Sequence, residues 1–163
     1  MRFYTLLLAF LCCYTLSMAQ DAYRIKIEIE GYQQDTLMLA YYLGDKQYLQ
    51  DTTLRQLDGS YIFEGDEPLK GGIYLVVMKP DNSFFQVLVD DRNQVFGMKT
   101  VVGDDQVKRT SFTGSPDNKI FYDYLRYLND QRPAAEAIQK RLEAAEKEKD
   151  KAAIQKELED LNE

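Results

Sequence analysis

Phe112-Thr113-Gly114-Ser115-Pro116-Asp117-Asn118-Lys119-Ile120-Phe121-Tyr122-Asp123-Tyr124-Leu125-Arg126-Tyr127-Leu128 is the stretch where this 163-residue chain changes its period. Before it, apolar residues recur at every second position. After it, they recur at helical spacing. Ser115 suits a helix N-cap, because its hydroxyl can accept from the orphan amides of the first turn. Pro116 suits the first helical position, where a missing N–H costs nothing. Asp117 adds negative charge at the positive end of the helix dipole. Phe121, Tyr124, Leu125 and Leu128 fall on one face. Tyr122 and Tyr127 lie off that face and are left to cover the sheet edge or to meet a partner.

Upstream, Tyr23, Ile25, Ile27 and Ile29 alternate with Arg24, Lys26, Glu28 and Glu30, the pattern of a strand with one wet face. Thr36 to Leu43 is a second strand, apolar enough to be covered on both faces. Asp58-Gly59 is a tight-turn dipeptide between the extended runs Gln47–Leu57 and Tyr61–Phe63. Ile73 to Met78 is a continuous apolar run, the mark of a central strand. Phe84 to Val89 returns as its hairpin partner after Pro80-Asp81-Asn82-Ser83. Gln94 to Val102 and Val107 to Phe112 read as the last strands. Turn signals every ~8–12 residues point to an antiparallel β-sandwich-like domain followed by C-terminal helices.

Downstream, Pro133 predicts the start of a second helical segment that runs to Glu163 and is rich in Ala, Glu, Lys and Gln. Ile138, Leu142 and Ala145 share a face, as do Ile154, Leu158 and Leu161. On one straight helix these faces would differ by ~160°, which disfavours a long coiled coil. The sequence stops inside the helical pattern, as a truncated connector or a frayed terminus would. The reading divides the chain into a leader (1–19), a β domain (20–114), a seam helix (115–131) and a charged helical connector (132–163).

The leader follows from Arg2, the apolar run Phe3–Leu16 and the small residues of Ser17-Met18-Ala19, which together predict a cleaved secretory signal. Export to a periplasm, outer envelope or extracellular space is therefore expected, with no stable membrane insertion after cleavage. Both cysteines, Cys12 and Cys13, lie in the leader, and the chain has no His. The mature chain thus lacks thiolate chemistry, the commonest general base and the commonest nitrogen ligand of metals. Removing the leader takes away only Arg2, which moves the formal charge from −7 to −8. That balance disfavours nucleic acid as a partner.

No catalytic, cofactor-binding or metal-binding residue is singled out. Asp90-Asp91 and Asp104-Asp105 lack the spaced Asp/Asn–Gly pattern of a calcium loop and read as turns. Ten tyrosines remain outside the leader and offer stacking surfaces, yet most fall in β segments, where Tyr is favoured. No Gly-rich phosphate loop is present.

Ile29-Glu30-Gly31 with Asp35-Thr36-Leu37-Met38-Leu39, Tyr41-Tyr42-Leu43-Gly44-Asp45-Lys46, Asp51-Thr52 and Asp58-Gly59-Ser60-Tyr61-Ile62-Phe63-Glu64-Gly65 occur in an order that carries a resemblance. Gly72-Ile73-Tyr74 and Phe112-Thr113-Gly114-Ser115 with Asn118, Phe121 and Tyr124 complete it. Over Tyr23 to Leu128 the chain resembles a secreted Bacteroidetes-type β domain of unknown function that stands N-terminal to thioredoxin-like thiol–disulfide oxidoreductase domains. The resemblance implies a cell-envelope accessory domain whose partner is a thioredoxin-like domain or another protein. The redox domain and its Cys-x-x-Cys are absent from this sequence, so no catalytic residue carries over. The competing expectation is a free-standing binding module for a peptide, glycan or protein. An enzyme using Asp, Glu or Lys chemistry is a third and weaker one. The exported chain should show no turnover above a no-protein control in an insulin-reduction assay, since it holds no thiol to exchange.

Overall fold

The computed structural model describes residues 22–145 and 148–162. The expected leader, 1–19, lies outside the described residues. The strands are β1 (Tyr23–Glu30), β2 (Thr36–Leu43), β3 (Lys46–Leu54), β4 (Tyr61–Gly65), β5 (Gly72–Met78), β6 (Phe84–Val89), β7 (Val95–Val101) and β8 (Ser111–Thr113). A short helix, α1 (Gln106–Arg109), separates the last two strands, and α2 (Pro116–Ala144) and α3 (Glu148–Asn162) complete the chain.

The strands form two four-stranded sheets with orders β4-β1-β7-β8 and β3-β2-β5-β6. Every pairing is antiparallel except β1 with β7, so the mainly antiparallel sandwich expected from the turn spacing is present with one parallel exception. Ile25, Ile27, Phe63 and Met98 of the first sheet meet Leu37, Leu39, Val76 and Val87 of the second in a single core. Each is essentially removed from water, and each contributes about 1.5–3 kcal/mol by burial. The alternation in β1 sets this directly, because successive side chains of a strand point to opposite faces.

The open flank between the edges β6 and β8 is closed by α2. The register of β6 with β5 points the backbone groups of Gln86 and Leu88 away from the sheet. Asn118 meets them: its Oδ1 accepts from Leu88 N at 2.7 Å, and its Nδ2 donates to Leu88 O at 2.7 Å. One carboxamide thus stands in for the next strand and blocks the edge. Ser115 holds Asn118 in place, its Oγ accepting from Asn118 Nδ2 at 2.9 Å. Gly114 has φ +80°, and a Cβ there would lie 3.1 Å from the Val95 carbonyl oxygen. A side chain would therefore push the helix start away from β7. Gln94 repeats the device, pairing with both Leu69 N and Leu69 O at 2.8 Å. Among the described residues no buried side-chain nitrogen or oxygen lacks a partner.

Three expectations need correction. Val107 lies in α1 rather than in a strand. Thr110 Oγ1 donates to Gln106 O at 2.6 Å and sits 2.7 Å from Thr100 Oγ1, which closes a helical turn and shortens the last strand to Ser111–Thr113. Of the two roles left open for Tyr122, it takes the cover of the sheet edge: it is buried, which corrects its placement as a partner contact. Pro133 does not start a new helix: α2 runs through it, and the break comes at Ala145, which leaves the helix in an extended conformation. α3 then folds back on α2, and Arg141 reaches Glu157 at 2.9 Å. Ile138 and Leu142 of α2, and Ile154, Leu158 and Leu161 of α3, are the buried or half-buried apolar positions of this pair. The two apolar faces meet because the chain reverses at Ala145. No helix among the described residues is long and apolar enough to cross a membrane.

Asn118→Ala leaves Leu88 N–H and C=O without partners under α2. Since a buried orphan costs about 1–3 kcal/mol, the expected destabilisation is about 2–4 kcal/mol by denaturant unfolding. Asn118→Asp keeps the acceptor but loses the donor and buries a charge, so it should cost at least as much. A loss below about 0.5 kcal/mol for both, the range of ordinary surface changes, would remove Asn118 from this role.

Candidate interaction surface

The two sheets differ in what they present on their outer faces. On the first sheet, Arg24, Lys26 and Glu28 of β1 point outward. Arg24 pairs with Glu64, Lys26 with Asp58 at 2.9 Å, and Lys99 with Glu28 at 2.9 Å. All are solvent-exposed pairs, each worth about 0–1 kcal/mol. This face is charged and wet, and a cleft of about 400 Å³ lies on it among Arg24, Lys26, Val95, Gly97, Lys99 and Thr113.

The second sheet is different. Its register aligns Met38, Thr52, Val77 and Phe84 in one outward row, and Ala40, Leu49, Leu75 and Gln86 in the next. Tyr42 with Gln47, and Ile73 with Leu88, continue the face. None of these twelve residues is charged. Leu75 and Ala40 form a buried floor that is separate from the interior core. Around them Leu49 is 58% exposed, and Phe84 and Ile73 are 47% exposed. Thr36–Leu43 was expected to be covered on both faces. The inner face packs in the core, while no described helix packs against β2, β3 or β5, and the outer face is bordered by the loop residue Asn82.

α2 borders this face as a ledge. Asn118 must reach Leu88, and that requirement sets the rotation of the helix. Tyr122, one turn on, then enters the interior and donates from its hydroxyl to Gln86 O at 3.0 Å. Its ring centroid lies 5.0 Å from that of Phe112. The side expected to pack, Phe121 with Tyr124, Leu125 and Leu128, is therefore split. Phe121 and Leu125 are half-buried, while Tyr124 and Leu128 are exposed. Ile120, Phe121 and Tyr124, with Asp117 beside them, line a shallow cleft against Leu88. Tyr127 is 52% exposed and points away from the sandwich side occupied by Tyr122. The two named tyrosines are thus not brought together: Tyr122 seals the sheet edge, and Tyr127 stays in solvent. Ile120, Phe84 and Leu49 were missed as surface residues. The signal for them was the apolar character of both faces of β2 and β5.

A further cleft, of about 750 Å³ at one end of the sandwich, is lined by Tyr32, Gln33, Lys79, Asp81 and Gln106 among others. Tyr32, Lys79 and Asp81 among them are engaged within the fold. Tyr32 Oη accepts from Lys79 N and donates to Thr36 O, Lys79 Nζ reaches Asn82, and Asp81 accepts from Ser83. Asp90, read as a turn residue, accepts from Arg92 N and Asn93 N, which holds its carboxyl below the usual range. Among the described residues no group of three or more His, Cys, Asp or Glu converges on a point.

Fold and surface together define a β-sandwich closed by a helix, with one sheet wet and the other bare. A family model matches residues 23–121, and the chain belongs to that family, the domain of unknown function DUF4369. The match spans the bare face and the Gly114–Asn118 junction. No curated protein and no solved structure matches the chain.

Burial raises the hydroxyl pKa of Tyr61, Tyr74 and Tyr122. Tyr23 is pushed up to about 12, by burial first and then by the Asp51 carboxylate that accepts its hydrogen bond. Below the ordinary tyrosine value of about 10, folded and unfolded states both keep these protons, so the contribution is intact. Above about 10 the unfolded chain ionises first, and stability falls as pH rises toward the folded values. Unfolding midpoints should therefore decline from about pH 10 upward, with the last tyrosinate absorbance appearing together with loss of structure. Complete tyrosine ionisation in a still-folded chain would contradict this.

Proposed function

We propose that this chain is a non-catalytic accessory domain that works by protein–protein contact and serves a thioredoxin-like thiol–disulfide oxidoreductase of the cell envelope. The observation that carries the contact role is the uncharged outer face of the second sheet. Soluble monomers rarely expose contiguous apolar surface of this extent without a partner for it. The absence of His and of Cys outside the leader supports a non-catalytic role. The resemblance over Tyr23 to Leu128 supports the link to a redox domain, and the leader supports export. In this reading the α2–α3 pair serves as the connector.

A second reading is a free-standing binding module for a peptide, glycan or partner protein. It draws on the tyrosines where β2 meets β3. Tyr41 stacks on Tyr48 with ring centroids 5.8 Å apart, and Tyr42 and Tyr48 are exposed. Such rings suit stacking on apolar faces of a ligand.

The test is a photo-crosslinking residue placed at Phe84 in producing cells, with the same residue at Lys99 on the wet sheet as control. Adducts from position 84 that exceed those from position 99, and that disappear when Leu49→Glu is added, are expected. Equal yields at both positions would refute the contact role of this face.

A further inference from the structure

We infer that the partner of the bare face is a second copy of this chain. The inference rests on the reading of that face as an interaction surface and names its occupant. Leu49, Ile73, Phe84, Ile120, Tyr124 and Leu128 stand between 43% and 66% exposed along the sheet and its ledge. With the half-buried Met38, Val77 and Leu88 between them they offer roughly 700–800 Å² of apolar surface, taking about 200 Å² per large side chain. A typical monomer's largest apolar patch is about 300–600 Å², whereas a standard interface buries about 800 Å² per partner. The patch therefore has the size of one half of a stable dimer.

Its shape and charge suit an isologous contact, in which the same patch meets itself about a two-fold axis. The sheet is uncharged at every outward position of its three rows, and a charge that borders it, Asp117 in the ledge cleft, is already paired with Arg92 at 2.6 Å. The ledge stands on one side only. α2 runs beyond β6, while the opposite edge is β3, where Leu49 is exposed. A two-fold axis along the strands lays the ledge of each copy beside β3 of the other. Ile120 and Tyr124 then cover the flank that a flat face-to-face contact would leave wet.

Sedimentation equilibrium of the full chain, produced with its leader in an exporting host, tests this. A dimer is expected at micromolar concentration. Leu49→Glu and Phe84→Glu should each raise its dissociation constant ~100-fold or more, because each buries an unpaired carboxylate. Thr113→Glu on the wet sheet should leave it unchanged. Unaltered circular dichroism of the two face variants separates lost pairing from lost fold. A monomer throughout the micromolar range, or a dimer indifferent to both face substitutions, overturns the inference. The adduct formed from position 84 in cells separates this inference from the broader one. An adduct of two copies supports it. An adduct with a different protein overturns the second-copy inference and leaves the contact role standing, and no adduct overturns both.

Discussion

The carboxamide of Asn118 lying between Leu88 N–H and Leu88 C=O is the contact on which the rest of this architecture depends. A sandwich of two four-stranded sheets has four edges, and each edge exposes unpaired backbone groups. Here the flank between β6 and β8 is closed by a helix, not by further strands. A helix has no free backbone donors along its side, so the bonds must come from side chains. Asn118 supplies a donor and an acceptor together, and Tyr122 supplies one more donor to Gln86. Gly114, Ser115 and Pro116 start the helix at the one place from which position 118 reaches the strand.

That constraint also shapes the surface. Once Asn118 and Tyr122 face the sandwich, Ile120 and Tyr124 must face outward, because residues two apart on a helix point to different sides. The ledge beside the bare sheet is therefore a by-product of sealing the edge. The sheet itself is apolar on both faces along β2 and β5, while the other sheet carries paired charges on its outer side. A central strand apolar on both faces is the pattern of a sheet covered on both sides. In this fold only one of those covers is part of the described chain.

Much of this architecture was legible in the sequence. Strand positions followed from alternation in β1 and from the turn residues between the later strands. The helix start followed from Ser115-Pro116-Asp117, since caps and first-turn preferences are local. The failures were of one kind. Val107 looked like a strand residue, but the Thr110 hydroxyl, bonded to Gln106 O and Thr100, stabilises a turn of helix that no local pattern announces. Pro133 looked like a helix start, but α2 runs through it and ends only at Ala144. Tyr122 looked peripheral because the apolar moment of the helix favoured the Tyr124–Leu128 side. A hydrogen-bonded anchor outweighed that moment, because an unpaired polar group under the helix costs more than an exposed aromatic ring.

By itself the sequence determined the class of fold, the place where strands give way to helix, and the absence of thiol groups after Cys13 and of imidazole throughout. These depend on composition and on neighbours a few residues apart. Only the tertiary structure decided which side of α2 is buried, that the distal helices fold back on each other, and that the outer face of the second sheet stays bare. Those depend on groups far apart in the chain: position 118 against position 88, 141 against 157, and 49 against 40 and 75. Periodicity gives a residue its face. Only the register between strands and the hydrogen bonds across the flank settle what, if anything, lies against that face.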